Sequence, residues 1–270
     1  MKKIQLAAFL VLTGAGFYQP TAHAFVANPT DLFIGFQSVG GNGAASAYVI
    51  DIGPESLYTT GNGSTFNLNT AFYGGPTSLS NNLNTLFASD VSAGDGTYWG
   101  DTQDTYWGVG GATANGSNTV YLGKPESPVG TRTTAITAQN AGQLAIINGD
   151  LTNALNAFNS IATVNSGTQA QIQPTSTTNG WVTYNANGAG ASFVAGNQGQ
   201  LFVPTSGTVL DLYQNSTGSA GVYEGKFTIN SSGLITYSTA TIAPEPSALA
   251  ALVGGAGLLG LMRRRRAVVA

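Results

Sequence analysis

Short apolar segments rich in aromatic and β-branched residues, separated by turns of Gly and Asn, recur along most of this chain. Such segments favour strands, because these side chains pack well on a pleated sheet and Gly and Asn tolerate the positive φ angles of tight turns. Asn42 and Gly43 suit the turn of a first hairpin. We therefore expect a mainly β fold with β-sandwich-like antiparallel sheets, with strands at 31–36, 47–52, 181–184, 191–194, 209–214, 222–229 and 234–237.

Two stretches instead repeat their apolar residues at steps of three and four, the spacing of an amphipathic helix. The first spans Ser78 to Ala93, with Ser78 or Ser80 near its N-cap. The second spans Gln139 to Val164, and its Gly149 is a position at which the helix could break. One or two inserted helices are predicted, with apolar stripes formed by Leu79, Leu83, Leu86 and Phe87 and by Leu144, Ile147, Leu151, Leu155, Phe158 and Ile161.

The first 24 residues have the three parts of a signal peptide. Met1-Lys2-Lys3 is a positively charged start, and Ile4 to Phe17 is an apolar stretch. Ala22 and Ala24 supply the small residues that signal peptidase requires on either side of His23. We expect cleavage after Ala24, so that the exported chain begins at Phe25.

The C-terminal segment combines Pro244-Glu245-Pro246, the uncharged run Ser247 to Met262, and the basic cluster of Arg263, Arg264, Arg265 and Arg266. Sixteen helical residues span roughly 24 Å, against a bilayer core of about 30 Å. Each arginine costs on the order of 3 kcal/mol at the centre of a membrane, so the cluster must lie in the interface or in water. The run therefore predicts a short, weakly apolar transmembrane helix at 247–262, better suited to a temporary stop than to a permanent anchor.

A terminal Pro-Glu-Pro motif, an apolar helix and an arginine cluster together resemble the PEP-CTERM sorting signal of Gram-negative bacteria. The resemblance implies that an exosortase-type membrane protease recognises Pro244, Glu245 and Pro246 and removes the tail at 243–270. The last predicted hairpin, Gly225 to Tyr237, and the segment Asp31 to Phe36 are similar to parts of a recurrent secreted domain that carries this tail. That second resemblance implies no known activity. The alternative for the tail is an ordinary anchor that is never cut.

Removal of both ends leaves a domain at 25–242 with an unusual set of ionisable groups. Lys124, Arg132 and Lys226 are its three basic residues, against eleven acidic residues, which gives a net charge of about −8. This balance disfavours a nucleic-acid partner. The domain has no Cys and no His, since His23 lies in the signal peptide. Cysteine nucleophiles, Ser-His-Asp triads, histidine bases and His/Cys zinc sites are therefore excluded from 25–242, and we expect no cofactor.

An aromatic repeat marks the centre of this domain: Tyr98-Trp99 and Tyr106-Trp107 stand eight residues apart, each between Thr and Gly. One interpretation is that Trp107 points into the core of a β-protein from a strand while Trp99 covers a neighbouring loop. The other is that the four rings stack on the sugar rings of an exopolysaccharide, as in a carbohydrate-binding module. A third is contact with another chain.

Acidic residues surround the repeat. Asp95, Asp101 and Asp104, together with Asp90, are weak candidates for calcium ligands, because their spacing matches neither an EF-hand nor a regular calcium-binding repeat. Asp101 and Asp104 could also form the carboxylate pair of a secreted hydrolase. Pairs of this kind occur by chance in an acidic domain, and the sequence gives no activated nucleophile with an orienting partner. We therefore expect a protein that is not an enzyme.

The sequence thus favours a non-enzymatic protein of the cell surface or extracellular matrix, sorted through its tail. Its expected partners are the Sec export machinery, signal peptidase and the exosortase-type protease, with exopolysaccharide as a candidate. We expect it to be exported, held in the inner membrane by its C-terminal helix, and then placed at the cell surface or released. The alternatives are the carbohydrate-binding module and the hydrolase.

Overall fold

A computed structural model describes residues 26–38, 46–59, 65–68, 70–87, 99, 105–113, 119–126, 128–161, 169–174, 181, 199–200 and 208–239. The predicted signal peptide, the sorting segment and the turn at Asn42-Gly43 lie outside the described residues. The same is true of the predicted strand at 191–194.

The described strands form one antiparallel sheet of ten strands. Their order in the sheet is β3-β10-β9-β8-β5-β4-β1-β2-β6, and β7 pairs with β4 beside this path. The strands are β1 (Asp31–Ser38), β2 (Ser46–Pro54), β3 (Thr65–Asn67), β4 (Thr105–Ala112), β5 (Thr119–Pro125), β6 (Ala170–Pro174), β7 (Gly199–Gln200), β8 (Thr208–Ser216), β9 (Val222–Ile229) and β10 (Ile235–Thr239).

The mainly β class is confirmed, but the strands belong to one curled sheet rather than to separate sheets. The predicted hairpins β1–β2 and β9–β10 are present, and β8 occupies the predicted strand at 209–214. The predicted strand at 181–184 is described at Trp181 alone, which lies outside the strands. Alternation of apolar and polar residues identifies the buried face of a strand, but the partner strand depends on contacts distant in sequence.

One face of the sheet, here called the inner face, carries Leu32, Ile34 and Phe36 of β1. These side chains belong to the largest core cluster, which also receives residues from β2 near one end of the strand order and from β10 near the other. A flat sheet would hold these strands far apart, so the shared core requires the sheet to curl around it. Tyr58, Phe66, Phe227 and Tyr237 pack there with ring centroids 4.7 to 5.7 Å apart.

Helix α2 (Pro76–Phe87) packs against the inner face, following the single-turn helix α1 (Thr70–Tyr73). Leu79, Leu83 and Phe87 of α2 are buried, as the apolar spacing predicts. The predicted N-cap is wrong: the helix begins at Pro76, whose fixed φ and missing N–H suit a first helical position. The predicted end at Ala93 lies outside the described residues.

Helix α3 (Ala141–Ser160) covers part of the opposite, outer face. Asn140 forms its capping box with Gln143, since each side chain accepts from the other residue's backbone N–H. The helix continues through Gly149, and Ile161 is its C-cap rather than part of its stripe. Tertiary packing explains the continuity, because Leu144, Ile147, Leu151, Leu155 and Phe158 are all buried.

Trp181 is buried on the outer face directly above Gly35 of β1. A Cβ atom at Gly35 would lie 2.0 Å from Cε2 of the indole, so glycine is required for this contact. Two buried glutamines fix the position of Trp181: its backbone N–H donates to Gln173 at 2.8 Å, and Gln173 donates to Gln171 at 3.0 Å. Gln171 in turn donates to the carbonyl of Phe158 at the end of α3, at 2.8 Å.

This packing predicts that Gly35→Ala destabilises the fold by about 2 kcal/mol or more, because a buried ring would have to move. Equilibrium unfolding in urea measures the change. Gly149→Ala is the matched control: its Cβ would meet nothing within 4 Å, and alanine in a helix interior should stabilise by roughly 0.5–1 kcal/mol. Unchanged stability of Gly35→Ala would contradict the placement of Trp181.

Candidate functional site

Most residues singled out in the sequence lie outside the described part of the chain. These are the sorting motif Pro244, Glu245 and Pro246, the basic cluster Arg263, Arg264, Arg265 and Arg266, the cleavage-site residues Ala22 and Ala24, the ring of Tyr98, and the acidic residues Asp90, Asp95, Asp101 and Asp104. Trp99, Tyr106 and Trp107 are described.

Both tryptophans of the aromatic repeat are completely buried, with 0% of either side chain exposed. Trp107 lies on β4 and stacks on Phe36, with ring centroids 6.1 Å apart and an interplanar angle of 15°. The predicted core position of Trp107 is confirmed. Trp99 packs in the same core, where its indole N–H donates to the Ser80 hydroxyl at 2.8 Å and its backbone N–H donates to the Asn84 side chain at 2.9 Å.

Sugar stacking requires an aromatic face open to a ligand. In this structure neither indole has such a face, and Tyr106 is half-buried in β4. The interpretation of Trp99 and Trp107 as a carbohydrate platform is therefore corrected: their rings stabilise the core. Trp99 is hydrogen-bonded to α2 in the core, and the neighbouring loop that it was expected to cover lies outside the described residues.

The polar residues of the outer face instead converge on Asp211 of β8. In the sheet register Asp211 stands opposite Lys124 of β5 on one side and Lys226 of β9 on the other. The segment 126–134 crosses over this position and brings Glu126, Arg132 and Thr133 to it. We call this group the Asp211 cluster; it contains Lys124, Glu126, Arg132, Thr133, Asp211, Tyr213, Tyr223 and Lys226.

Thr133 joins the crossing segment to the strand below. The Asp211 carboxylate is fully buried and accepts hydrogen bonds from the backbone N–H of Thr133 at 2.6 Å and from its hydroxyl at 3.0 Å. The Tyr213 hydroxyl donates to the Thr133 carbonyl at 2.6 Å. Three hydrogen bonds therefore hold one residue of the segment against β8.

Glu126 is the second carboxyl of the cluster and is 8% exposed. It accepts from the backbone N–H of Gly130 at 2.5 Å, in a turn where Gly130 has a φ of 90°. Burial raises the pKa of Glu126, and the neighbouring Asp211 raises it further. The Gly130 N–H and Lys226 act in the opposite direction, because both favour the carboxylate.

Two basic residues of the cluster contact neutral groups. The Lys124 ammonium donates to the carbonyl and the hydroxyl of Thr134, at 2.8 and 3.2 Å. Arg132 lies over the ring of Tyr223, with its Cζ 4.2 Å from the centroid. Burial and then Asp211 raise the pKa of the Tyr223 hydroxyl, whereas Arg132 lowers it.

These contacts make the cluster a clamp that fastens the segment 126–134 to the sheet. A catalytic carboxyl pair needs a position for a substrate beside it, but the segment itself covers Glu126 and Asp211. Within the residues that the structure describes, no three acidic side chains meet as a metal site would require. No helix in the same part of the chain is long and apolar enough to cross a membrane.

Part of this cluster is predictable from the strand pattern. Asp211 lies between Leu210 and Leu212 in a strand, where successive side chains point to opposite faces of the sheet. The pattern therefore predicts that Asp211 lies on the face opposite the apolar core. Glu126 lies in a loop between two prolines, and nothing local indicates which strand it meets.

A comparison with models of protein families gave no match, and comparisons with curated proteins and with solved structures gave no significant match. The function has to be argued from the residues of this chain.

We predict that Thr133→Val destabilises the protein by about 2 kcal/mol, because the hydroxyl loses its bonds to Asp211 and Tyr213 while the volume is kept. Thr131→Val, at an exposed position in the same segment, should change stability by less than about 0.5 kcal/mol. Urea unfolding of both variants measures the difference. Equal losses would mean that the segment is held by something other than the Asp211 cluster.

Proposed function

We propose that this chain is an exported, non-enzymatic protein of the cell surface or extracellular matrix, and that its last 28 residues are a removable PEP-CTERM sorting signal. The observation that carries the proposal is the order of parts in the tail: Pro244-Glu245-Pro246, the apolar run to Met262, and four arginines. The tripeptide alone would be a weak signal. The three parts in this order, beside an N-terminal signal peptide, form a specific arrangement.

The two ends define one route through the inner membrane. The segment 1–24 directs the chain to the Sec machinery and is removed by signal peptidase. The helix at 247–262 then halts transfer, with the arginines on the cytoplasmic side according to the positive-inside rule. An exosortase-type protease cuts near Pro244 to Pro246 and transfers the domain to the surface or releases it.

Two features of the domain at 25–242 favour display at the cell surface over catalysis. Among the residues that the structure describes, Trp99 and Trp107 are buried, and the Asp211 cluster holds a loop in place. We further propose that the two halves of the curled sheet face each other like the layers of a β-sandwich. Exopolysaccharide is a candidate partner for the exposed neutral surface.

The carbohydrate-binding module loses its main argument with the burial of both indoles, and we do not carry it further as a stacking site. The hydrolase alternative rests on Asp101 and Asp104, which are outside the described residues, so no observation of this structure favours it.

The sorting proposal predicts the C-terminus of the exported protein. In the native host, mass spectrometry of the surface and extracellular fractions should find chains that end near Pro244 to Ser247. Glu245→Ala should leave the uncut precursor, still carrying Arg263 to Arg266, in the inner membrane. Thr241→Ala, just before the motif, is the matched control and should be processed normally.

Two results would contradict the proposal. One is a surface protein that still carries the four arginines; the other is normal release of the Glu245→Ala variant. Either would favour an ordinary anchor or another export route.

A further inference from the structure

Two aspartates lie side by side where β1 begins and β2 ends. Asp31 is the first residue of β1, and Asp51 pairs with Phe33 in the β1–β2 register, beside an irregularity in the ladder. Both side chains leave the sheet on its outer face and are buried, with 3% of Asp31 and 0% of Asp51 exposed. The two carboxyl groups lie close enough for Asp31 to raise the pKa of Asp51.

One oxygen of each carboxyl is held by nearby N–H groups. Asp31 Oδ2 accepts from the backbone N–H of Asn28 at 2.6 Å and from its side-chain amide at 3.3 Å. Asp51 Oδ1 accepts from the backbone N–H of Gly53 at 2.7 Å. These bonds fix the orientation of each carboxyl group and leave its second oxygen for the neighbouring acid.

The second oxygens, Asp31 Oδ1 and Asp51 Oδ2, are buried, and no described residue donates a hydrogen bond to either. No described basic side chain offsets their charge. Lys124 donates to Thr134, Arg132 lies over the ring of Tyr223, and Lys226 lies beside Asp211. Two adjacent carboxylates in a buried site cannot both be ionised at a modest cost. A single proton between the two orphan oxygens removes one charge and satisfies both atoms.

We propose that Asp31 and Asp51 share one proton between Asp31 Oδ1 and Asp51 Oδ2 at neutral pH, and that this pair is a pH-sensitive latch for the N-terminal segment. The segment, residues 26–30, is the part of the chain that the pair holds against the sheet. Loss of the proton places two negative charges in the same buried site and weakens that attachment.

Residues 26–30 also form hydrogen bonds with two further elements. Ala27 exchanges hydrogen bonds with the Asn159 side chain near the end of α3, at 2.8 and 3.1 Å. The Thr30 carbonyl accepts from the backbone N–H of Glu55, in the 3-10 turn Glu55–Leu57 after β2, at 2.9 Å. Opening of the latch therefore loosens the contacts among β1, α3 and this turn.

The ionisable neighbours do not supply a positive charge. Tyr58, which follows the 3-10 turn, interacts electrostatically with both aspartates and with Tyr237 of β10, and its pKa is raised by burial and then by Asp51. Glu55 in the turn is another acid. The groups from the N-terminal segment, α3 and the approach to β6 are Asn28, Asn159 and the carbonyl of Gln169, none of which ionises in this range.

The raised pKa of Asp51 agrees with the burial of the two carboxyl groups. Burial raises the pKa of Asp51 to about 8, Asp31 adds to the rise, and the Gly53 N–H opposes it. An unfolded aspartate has a pKa of about 3.9, so between that pH and about 8 the folded chain binds one proton more than the unfolded chain. Its folding equilibrium constant therefore falls by up to about tenfold for each pH unit as pH rises through this range. Above it, the contribution is lost.

The test compares the full-length chain in mild detergent with Asp51→Asn, in which an amide N–H replaces the shared proton. The infrared spectrum of the wild type at pH 7 should contain a protonated carboxyl band that the variant lacks. In urea unfolding at pH 5 to 8, the wild type should lose stability with rising pH by about one proton more than the variant. Asp150→Asn is the control for the infrared band: Asp150 is a single acid whose pKa is raised by burial alone, so the band of the Asp31–Asp51 pair should persist in this variant.

Asp31→Asn provides a second route if Asp51→Asn does not fold, and it should remove the same band and the same pH dependence. The double variant should add no further change in pH dependence, because a single proton serves the pair. An unchanged band in both single variants would overturn the proposal. So would stabilisation of the wild type by calcium at pH 7 that the variants lose, since a cation would then occupy the place of the proton.

Discussion

The curl of the sheet depends on Tyr58, which joins two strands that the strand order places far apart. Its hydroxyl donates to the carbonyl of Ile52 in β2, and its own carbonyl accepts from the hydroxyl of Tyr237 in β10. Its ring packs edge-on against that of Tyr237, 5.0 Å away. Aromatic burial and two buried hydrogen bonds thus act at one residue. The inner core can form around them because they fix the distance between the two ends of the sheet.

Much of the local structure was predictable from the sequence, but the curling of the sheet around its inner core was not. The β1–β2 and β9–β10 hairpins follow from alternation and turn residues, and α3 follows from its apolar stripe. Tyr58 lies after a strand, in a stretch whose pattern predicts neither a partner nor burial. The continuity of α3 through Gly149 also came from packing, since the intrinsic preference of glycine opposes it.

Among the candidate sites, one is likewise predictable from the sequence and two depend on how the strands pair. The tail is interpretable from sequence because its signal is linear: three motif residues, an apolar run and a basic cluster. The Asp211 cluster and the Asp31–Asp51 pair depend on which strands become neighbours, so the sequence indicates at most the face on which Asp211 lies and none of its partners. The tryptophan repeat was open to two interpretations, a core strand and a sugar-binding surface, and in the structure both indoles fill the core.

Hydrogen exchange of a Tyr58→Leu variant tests most directly whether one residue closes the sheet. Amides of β2 (Ser46–Pro54) and β10 (Ile235–Thr239) should lose protection together, because removal of the ring and hydroxyl disconnects both from the shared core. Tyr223→Leu, on the outer face, should leave both strands protected. Faster exchange confined to the residues next to Tyr58, with β10 unchanged, would contradict the account.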